Sequence, residues 1–117
     1  MKYMLLIYSD PVVWEALTEA ERASLGPEHA ALIGELEASG EWVGGSVLAP
    51  PERSRAVRVR NGAVQVVDGP FAEVKEHLAG YDIVDCDGME RAAEIAARIP
   101  DARLARVEIR PMVGPEA

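Results

Sequence analysis

The apolar residues of this chain fall into short runs and stripes whose spacing predicts a mixed α and β protein. The run from Tyr3 to Tyr8 is apolar without alternation, which is typical of a strand covered on both faces. Thr18 and Glu21 have the spacing of a capping box, so a helix should begin there. One stripe recurs at helical spacing farther along and consists of His29, Leu32, Ile33 and Leu36.

Glycines and prolines divide the following segment. Gly26-Pro27 should interrupt the helix, with Pro27 in the first turn of a new or bent segment, because a proline nitrogen carries no hydrogen. Gly40 is placed to cap the C-terminus of this helix. A second strand is predicted from Trp42 to Leu48, and Gly44-Gly45 inside it indicates a bulge or a close approach of backbones.

The Asn61-Gly62 pair lies between two valine-rich segments and predicts a hairpin with a two-residue turn. In that register Val59 faces Val64, and Arg55 faces Asp68. Since side chains alternate between the faces of a strand, Arg55 and Asp68 extend the valine row. We therefore expect an ion pair between Arg55 and Asp68 at the end of an apolar stripe.

Three more elements complete the pattern: a strand from Tyr81 to Cys86, a helix opened by a capping box of Asp87 and Glu90, and a strand from Leu104 to Arg110. The helix should bury Ala92, Ile95, Ala96 and Ile99 before Pro100 ends it. This order predicts an α+β domain over residues 1–112, with 113–117 as a short tail. Two helices cover only one sheet face, so the doubly apolar first strand predicts a homodimer.

The charge and composition of the chain disfavour several classes of partner and site. The chain has 117 residues and a formal charge of −8, with twenty acidic against twelve basic side chains. Direct nucleic-acid binding and binding to an anionic membrane are disfavoured, because both need a basic face. The N-terminal apolar run is too short to span a membrane. Cys86 is the single cysteine, so no internal disulfide can form. We expect a cytoplasmic protein.

The segment Asp68-Gly69-Pro70-Phe71-Ala72-Glu73-Val74-Lys75-Glu76 carries the most specific signal in the chain. It closely resembles the signature of the YCII-related, or DGPF, family, and departs from it only at Val74, where a hydroxyl residue is usual. The resemblance extends from Met1 to Pro111. It implies a ferredoxin-like fold in which two subunits join their sheets as a dimeric α+β barrel. It also implies a link to extracytoplasmic-function sigma factors, beside whose genes DGPF proteins are often encoded.

Two residues are candidates for proton transfer. His29 shares its stripe with buried positions, so it should face the sheet, and in broader YCII relatives a histidine and an aspartate are suspected to form an active site. The carboxylate partner predicted for it is Asp68. The alternatives are a hydrogen-bonded boundary histidine and a structural ion pair. His77 is a weaker candidate, and Asp82 either alters the pocket or lies on a wet edge.

Two functions are compatible with these residues. The first is an enzyme that binds a small polar molecule, with His29 and Asp68 in general acid–base roles. In this hypothesis Arg55 and Lys75 stabilise an anion, and the other pocket residues are Trp42, Phe71, Glu73 and Glu76. No cofactor is expected, and no metal, since no His-x-x-x-His or Cys-x-x-Cys pair is present. The alternative is a non-catalytic ligand-binding or interaction module linked to a sigma factor.

Overall fold

The computed structural model describes residues 1–69 and 75–115. In chain order its elements are β1 (Lys2–Ser9), α1 (Pro11–Ala16), α2 (Glu19–Ser39), β2 (Trp42–Val47), β3 (Arg55–Arg60), β4 (Ala63–Asp68), β5 (His77–Asp85), α3 (Met89–Ala97), α4 (Asp101–Leu104) and β6 (Arg106–Pro111). A single 3₁₀ turn, Pro51–Arg53, precedes β3. No helix of the described residues is long and apolar enough to cross a membrane.

Four strands form the main sheet in the order β2-β5-β1-β6, and every neighbouring pair is antiparallel. β1 therefore has a hydrogen-bonded strand on each side, so both of its edges are paired. The hairpin β3–β4 forms a separate two-stranded sheet. This arrangement confirms the α+β prediction and is compatible with a ferredoxin-like fold.

One face of the main sheet packs against the helices. Alternation along β1 directs Tyr3, Leu5 and Ile7 to this face, and all three are buried. Among the described residues the core cluster consists of Tyr3, Leu5, Ile7, Leu32, Leu36, Val84, Cys86, Ala92, Ile95, Ala96 and Ile99. Helices α2 and α3 contribute apolar residues to this core at the helical spacing that the sequence predicted. Cys86 is part of this core, and burial raises the pKa of its thiol.

None of the described helices lies over the opposite face of the sheet. Met4 and Leu6 of β1 point to this side, next to Ile83 and Tyr81 of β5, and all four are half-buried in the single chain. We call these four residues the open face. The described part of the chain thus covers β1 on one side only, although its sequence is that of a strand covered on both.

Helix α2 is continuous from Glu19 to Ser39, and its ends follow the predicted signals. The capping box of Thr18 and Glu21 is present, and Gly40 caps the other end at φ 80°. The predicted interruption at Gly26-Pro27 is wrong. Pro27 lies on the exposed side of the helix, so the carbonyl that loses its helical donor there can bind water.

Two helix starts differ from the sequence prediction. Helix α1 was not predicted; Asp10 initiates it by accepting a hydrogen bond from the Val12 amide at 3.0 Å, and Pro11 occupies its first turn. The predicted capping box of Asp87 and Glu90 is wrong, because α3 begins at Met89 with Gly88 as N-cap and no side-chain bond. Tertiary packing of the apolar face fixes α3 without that local support.

The hairpin follows its predicted register. Asn61 and Gly62 both have positive φ, 51° and 77°, as a type I′ turn requires. The Arg55 Nε and Asp68 Oδ1 atoms lie 3.0 Å apart, which confirms the expected ion pair. Its side chains are 70 and 79% exposed, so the pair adds little stability. One face of the hairpin carries four valines, each more than half exposed: Val57, Val59, Val64 and Val66.

A charged contact ties α3 to the start of β2. Arg91 donates two hydrogen bonds to the Glu41 carboxylate, at 2.8 and 2.9 Å, and the Ser39 hydroxyl donates a third. These contacts, Arg91 first, lower the pKa of Glu41 from 4.5 to about 2. Because the folded-state pKa is depressed, the stabilisation is complete above pH 4.5 and is lost as the pH falls towards 2.

We expect Glu41→Gln to lower the free energy of unfolding by about 1 kcal/mol at pH 7, because the amide keeps the shape but loses the charge. The difference from the wild type should shrink as the pH falls from 4.5 to 2, where wild-type Glu41 becomes protonated. Urea unfolding at several pH values measures the loss of unfolding free energy at pH 7 and its decrease at lower pH. Glu35→Gln is the matched control, since Glu35 pairs with Arg98 at the surface. An equal loss in both variants contradicts a special role for Glu41.

Candidate functional site

An open cavity of about 1500 Å³ lies on the helix-covered side of the main sheet. Its walls come from α1, α2, β2, β5 and the segment that leads into the hairpin. Large apolar side chains form much of the lining: Ile7, Trp14, Ile33, Trp42 and Leu48. Apolar walls with a few polar groups are typical of small-molecule sites, although this volume exceeds the usual range of roughly 300–1,000 Å³.

A histidine and a buried carboxylate meet in the wall of this cavity. His29 Nε2 and Asp82 Oδ2 lie 2.6 Å apart. The helical stripe of α2 directs His29 towards the sheet, while alternation along β5 directs Asp82 to the same side as Gly80 and Val84. The Asp82 side chain is only 5% exposed and that of His29 is 23% exposed. A carboxylate buried to this degree needs a partner, and His29 provides it.

The charges around His29 favour its protonated form. The hydrogen bond to Asp82 raises the pKa of His29, and the negative charges of Asp82 and Asp101 act in the same direction, while burial opposes them. Asp101 also lines the cavity, and there burial raises the pKa of its carboxyl group. The site therefore holds an imidazole and a carboxyl group whose pKa values are both raised.

A glycine makes room for the buried carboxylate. Gly45 lies directly opposite Asp82 in the β2–β5 ladder. A Cβ atom at position 45 would lie 2.6 Å from Asp82 Oδ1, 2.6 Å from the Tyr81 carbonyl oxygen and 3.0 Å from the Trp42 ring. The close approach predicted for Gly44-Gly45 thus occurs at Gly45, and the predicted bulge lies between Trp42 and Gly44.

The carboxylate beside His29 is Asp82, where the sequence predicted Asp68. Asp68 does not line the cavity. The hairpin forms its own sheet instead of joining the helix-covered one, so the side chains at its base remain near solvent. Asp68 is held there by Arg55.

The remaining predicted residues are divided between the cavity and the surface. Trp42, Glu76 and also His77 line the cavity, and Glu76 accepts a hydrogen bond from Arg106 at 2.8 Å. Arg55 and Lys75 do not line it, and the exposed Lys75 ammonium lies 3.8 Å from the buried Asp10 carboxylate. The predictions for Phe71 and Glu73 lie outside the described residues. Within residues 1–69 and 75–115, no group of three or more His, Cys, Asp or Glu side chains is arranged to hold a metal ion.

The sequence analysis gave no role to Trp14 or Asp101, and it left open whether Asp82 alters the pocket; all three line the cavity. The signal for Asp82 was present in the alternation of its strand. Val84 and Cys86 share its parity and are apolar, so the same rule directs Asp82 towards the helices. Trp14 lies on the helix that was not predicted, and no local pattern indicates Asp101.

Comparison with known proteins gives a family and one curated relative. Residues 1–114 match the model of the YCII-related domain. An uncharacterized protein of Rhizobium meliloti (strain 1021) is 29% identical over 114 residues, which cover 96% of this chain and 92% of that protein.

Proposed function

This chain belongs to the YCII-related family, and we propose that it is an enzyme in which His29, oriented by Asp82, transfers a proton to or from a small molecule bound in the cavity. The observation that carries the proposal is the 2.6 Å contact between His29 and a carboxylate that is only 5% exposed, in the wall of an open cavity. An accessible imidazole next to a buried carboxylate is a common arrangement for general acid–base chemistry.

The geometry gives the two nitrogens of His29 separate tasks. When Nε2 carries its proton, it donates to Asp82, and this fixes the orientation of the ring. No described residue forms a hydrogen bond with Nδ1, so in this tautomer Nδ1 is the basic nitrogen. Asp82 stabilises the imidazolium that forms when Nδ1 accepts a proton from a ligand. Positioned proton transfer of this kind contributes about 10²–10⁴-fold to a rate.

We expect Asp82→Asn to lower the pKa of His29, because a neutral amide cannot stabilise the imidazolium. The stabilisation that a raised histidine pKa gives is complete below its unfolded value and is lost as the pH rises through its folded value. The stability advantage of the wild type over the variant should therefore be greater on the acidic side. An NMR titration of the ring protons measures the pKa directly.

His77→Gln assigns the resonances in that titration, since the chain has two histidines. If the pKa of His29 is the same in wild type and Asp82→Asn, the carboxylate does not act on the imidazole and the proposed pairing fails.

We also propose that the chain is a homodimer in which the open face is buried against a second copy. The residues of this face are apolar, lie at the centre of the sheet and have no cover from residues 1–69 or 75–115. Stable interfaces bury at least ~1,200 Å² in total, an area that a four-stranded sheet can supply. The dimeric α+β barrel implied by the family resemblance has this arrangement.

A non-catalytic module linked to an extracytoplasmic-function sigma factor is the alternative, and it stays a prediction. The His29–Asp82 contact favours the enzyme, because an interaction surface needs no buried ion pair at the wall of a cavity.

A further inference from the structure

The cavity is acidic as well as apolar. The carboxylates in its lining are Glu15, Glu52, Glu76, Asp82 and Asp101. Two of them have a cation close by: Glu76 is bonded to Arg106, and Glu52 precedes Arg53, the one arginine among the described lining residues. Asp82 is paired with His29, so Glu15 and Asp101 remain without a salt bridge to a described residue. Among the described lining residues, five carboxylates face one arginine and His29, so the field in the cavity favours a cation.

Among these carboxylates, Asp101 combines partial burial with the absence of a salt bridge to a described residue. It is half-buried, and it forms no salt bridge with any cation in the described part of the chain. Arg103 of the same short helix instead donates two hydrogen bonds to Glu28. His29 and Arg103 act on Asp101 only through longer-range charge interactions, so a positively charged ligand in direct contact would offset its loss of hydration.

The aromatic walls favour the same charge. Both tryptophans of the chain, Trp14 and Trp42, line the cavity. The face of an indole ring attracts cations more strongly than the ring of any other aromatic side chain does. Trp14 already accepts one such contact, because the Arg22 guanidinium carbon lies 6.0 Å from its ring centroid.

From these observations we infer that the ligand of the cavity is an organic cation, an amine with an apolar or aromatic body. Its ammonium group lies near Asp101, its body packs against Trp14 and Trp42, and its reacting atom faces His29. The inference rests on the proposed function in taking the cavity as the reacting site. It reverses the sign expected from the sequence, where Arg55 and Lys75 were assigned to an anion; neither lines the cavity.

Three probes of similar size test the charge of the ligand: 2-phenylethylamine, 3-phenylpropan-1-ol and 3-phenylpropanoate. Because both tryptophans line the cavity, intrinsic fluorescence reports binding of each probe. We expect the amine to bind at least about 10-fold more tightly than the carboxylate, with the alcohol between them, and its affinity to fall as salt is added. Equal affinities, tighter binding of the carboxylate, or no saturable binding of the amine at millimolar concentration would overturn the inference.

Two variants test whether the preference for the amine arises at Asp101 and Trp14. Asp101→Asn should weaken amine binding several-fold and leave the alcohol unchanged, because only the charged probe gains from the carboxylate. Trp14→Leu, on an exposed helix, should weaken the amine more than the alcohol, since both lose apolar contact but only the amine loses the cation–π contact. If neither variant changes the ratio of the two affinities, the cation is not bound in this cavity.

The charge preference and the proton-transfer role can fail separately. The pKa of His29 is measured in the protein without ligand, so an unchanged pKa in Asp82→Asn counts against proton transfer alone. A normal His29–Asp82 pair together with preferred binding of 3-phenylpropanoate counts against the amine alone.

Discussion

Among substitutions that add one methyl group to β2, Gly45→Ala should disrupt the site most. The new Cβ atom would meet Asp82 Oδ1 and the Tyr81 carbonyl oxygen at 2.6 Å each. The carbonyl belongs to a strand that is paired on both sides, so it cannot yield easily, and Asp82 must move away from His29. We expect a loss of about 1–3 kcal/mol in the free energy of unfolding from overpacking. The pKa of His29 should also fall, because its hydrogen bond to Asp82 is broken.

Gly44→Ala is the matched control for this prediction. No atom lies within 4 Å of a Cβ built at Gly44, and neither glycine has positive φ, so both backbones accept alanine. Urea unfolding and the NMR titration of His29 should separate the two variants clearly. If Gly45→Ala has the stability and the His29 pKa of the control, the close approach at Gly45 is not what positions Asp82.

Leu6→Asp should convert the proposed homodimer into a monomer. Leu6 lies on the open face of β1, beside Tyr81 of β5, where a partner would exclude water. An unpaired carboxylate buried in an apolar interface costs about 3–5 kcal/mol, which weakens association by more than about 100-fold. Light scattering at micromolar concentration should give twice the 12.6 kDa chain mass for the wild type and the single mass for the variant.

The fold of the Leu6→Asp monomer should persist, because this side chain is already half-exposed in the single chain. Val12→Asp, on the exposed surface of α1, is the control and should keep the mass of the wild type. A wild-type protein that scatters as a monomer would exclude the dimer, and a Leu6→Asp variant that remains dimeric would place the interface elsewhere.

Local signals predicted most of the fold. The capping box at Thr18, the left-handed cap at Gly40 and the hairpin turn at Asn61-Gly62 each involve neighbours in sequence, and each was confirmed. The errors came where packing overrides local chemistry. Helix α2 continues through Pro27 because its apolar stripe holds it against the sheet, and α3 begins without the predicted cap.

The candidate site was harder to predict because its central contact joins distant parts of the chain. His29 and Asp82 are 53 residues apart, and no local pattern specifies which turn of α2 crosses which residue of β5. Helical periodicity indicated that His29 faces the sheet, and strand parity would have indicated the same for Asp82. The sequence predicts Asp68 as the partner because Asp68 belongs to the family motif. The hairpin that carries it forms a separate sheet, so that carboxylate stays near solvent.

The valine face of the hairpin has a consequence for solubility. An exposed two-stranded ribbon with a row of valines offers free edges on which further strands can add, which is how ordered aggregates begin. β3 has arginines at Arg55, Arg58 and Arg60, so no apolar run longer than two residues occurs in that strand. Charges spaced in this way act as gatekeepers, because stacking the strand on a copy of itself would bring like charges together. The arginines of β3 thus protect the protein from strand-on-strand aggregation at high concentration. This protection is weakest where added salt screens their charge.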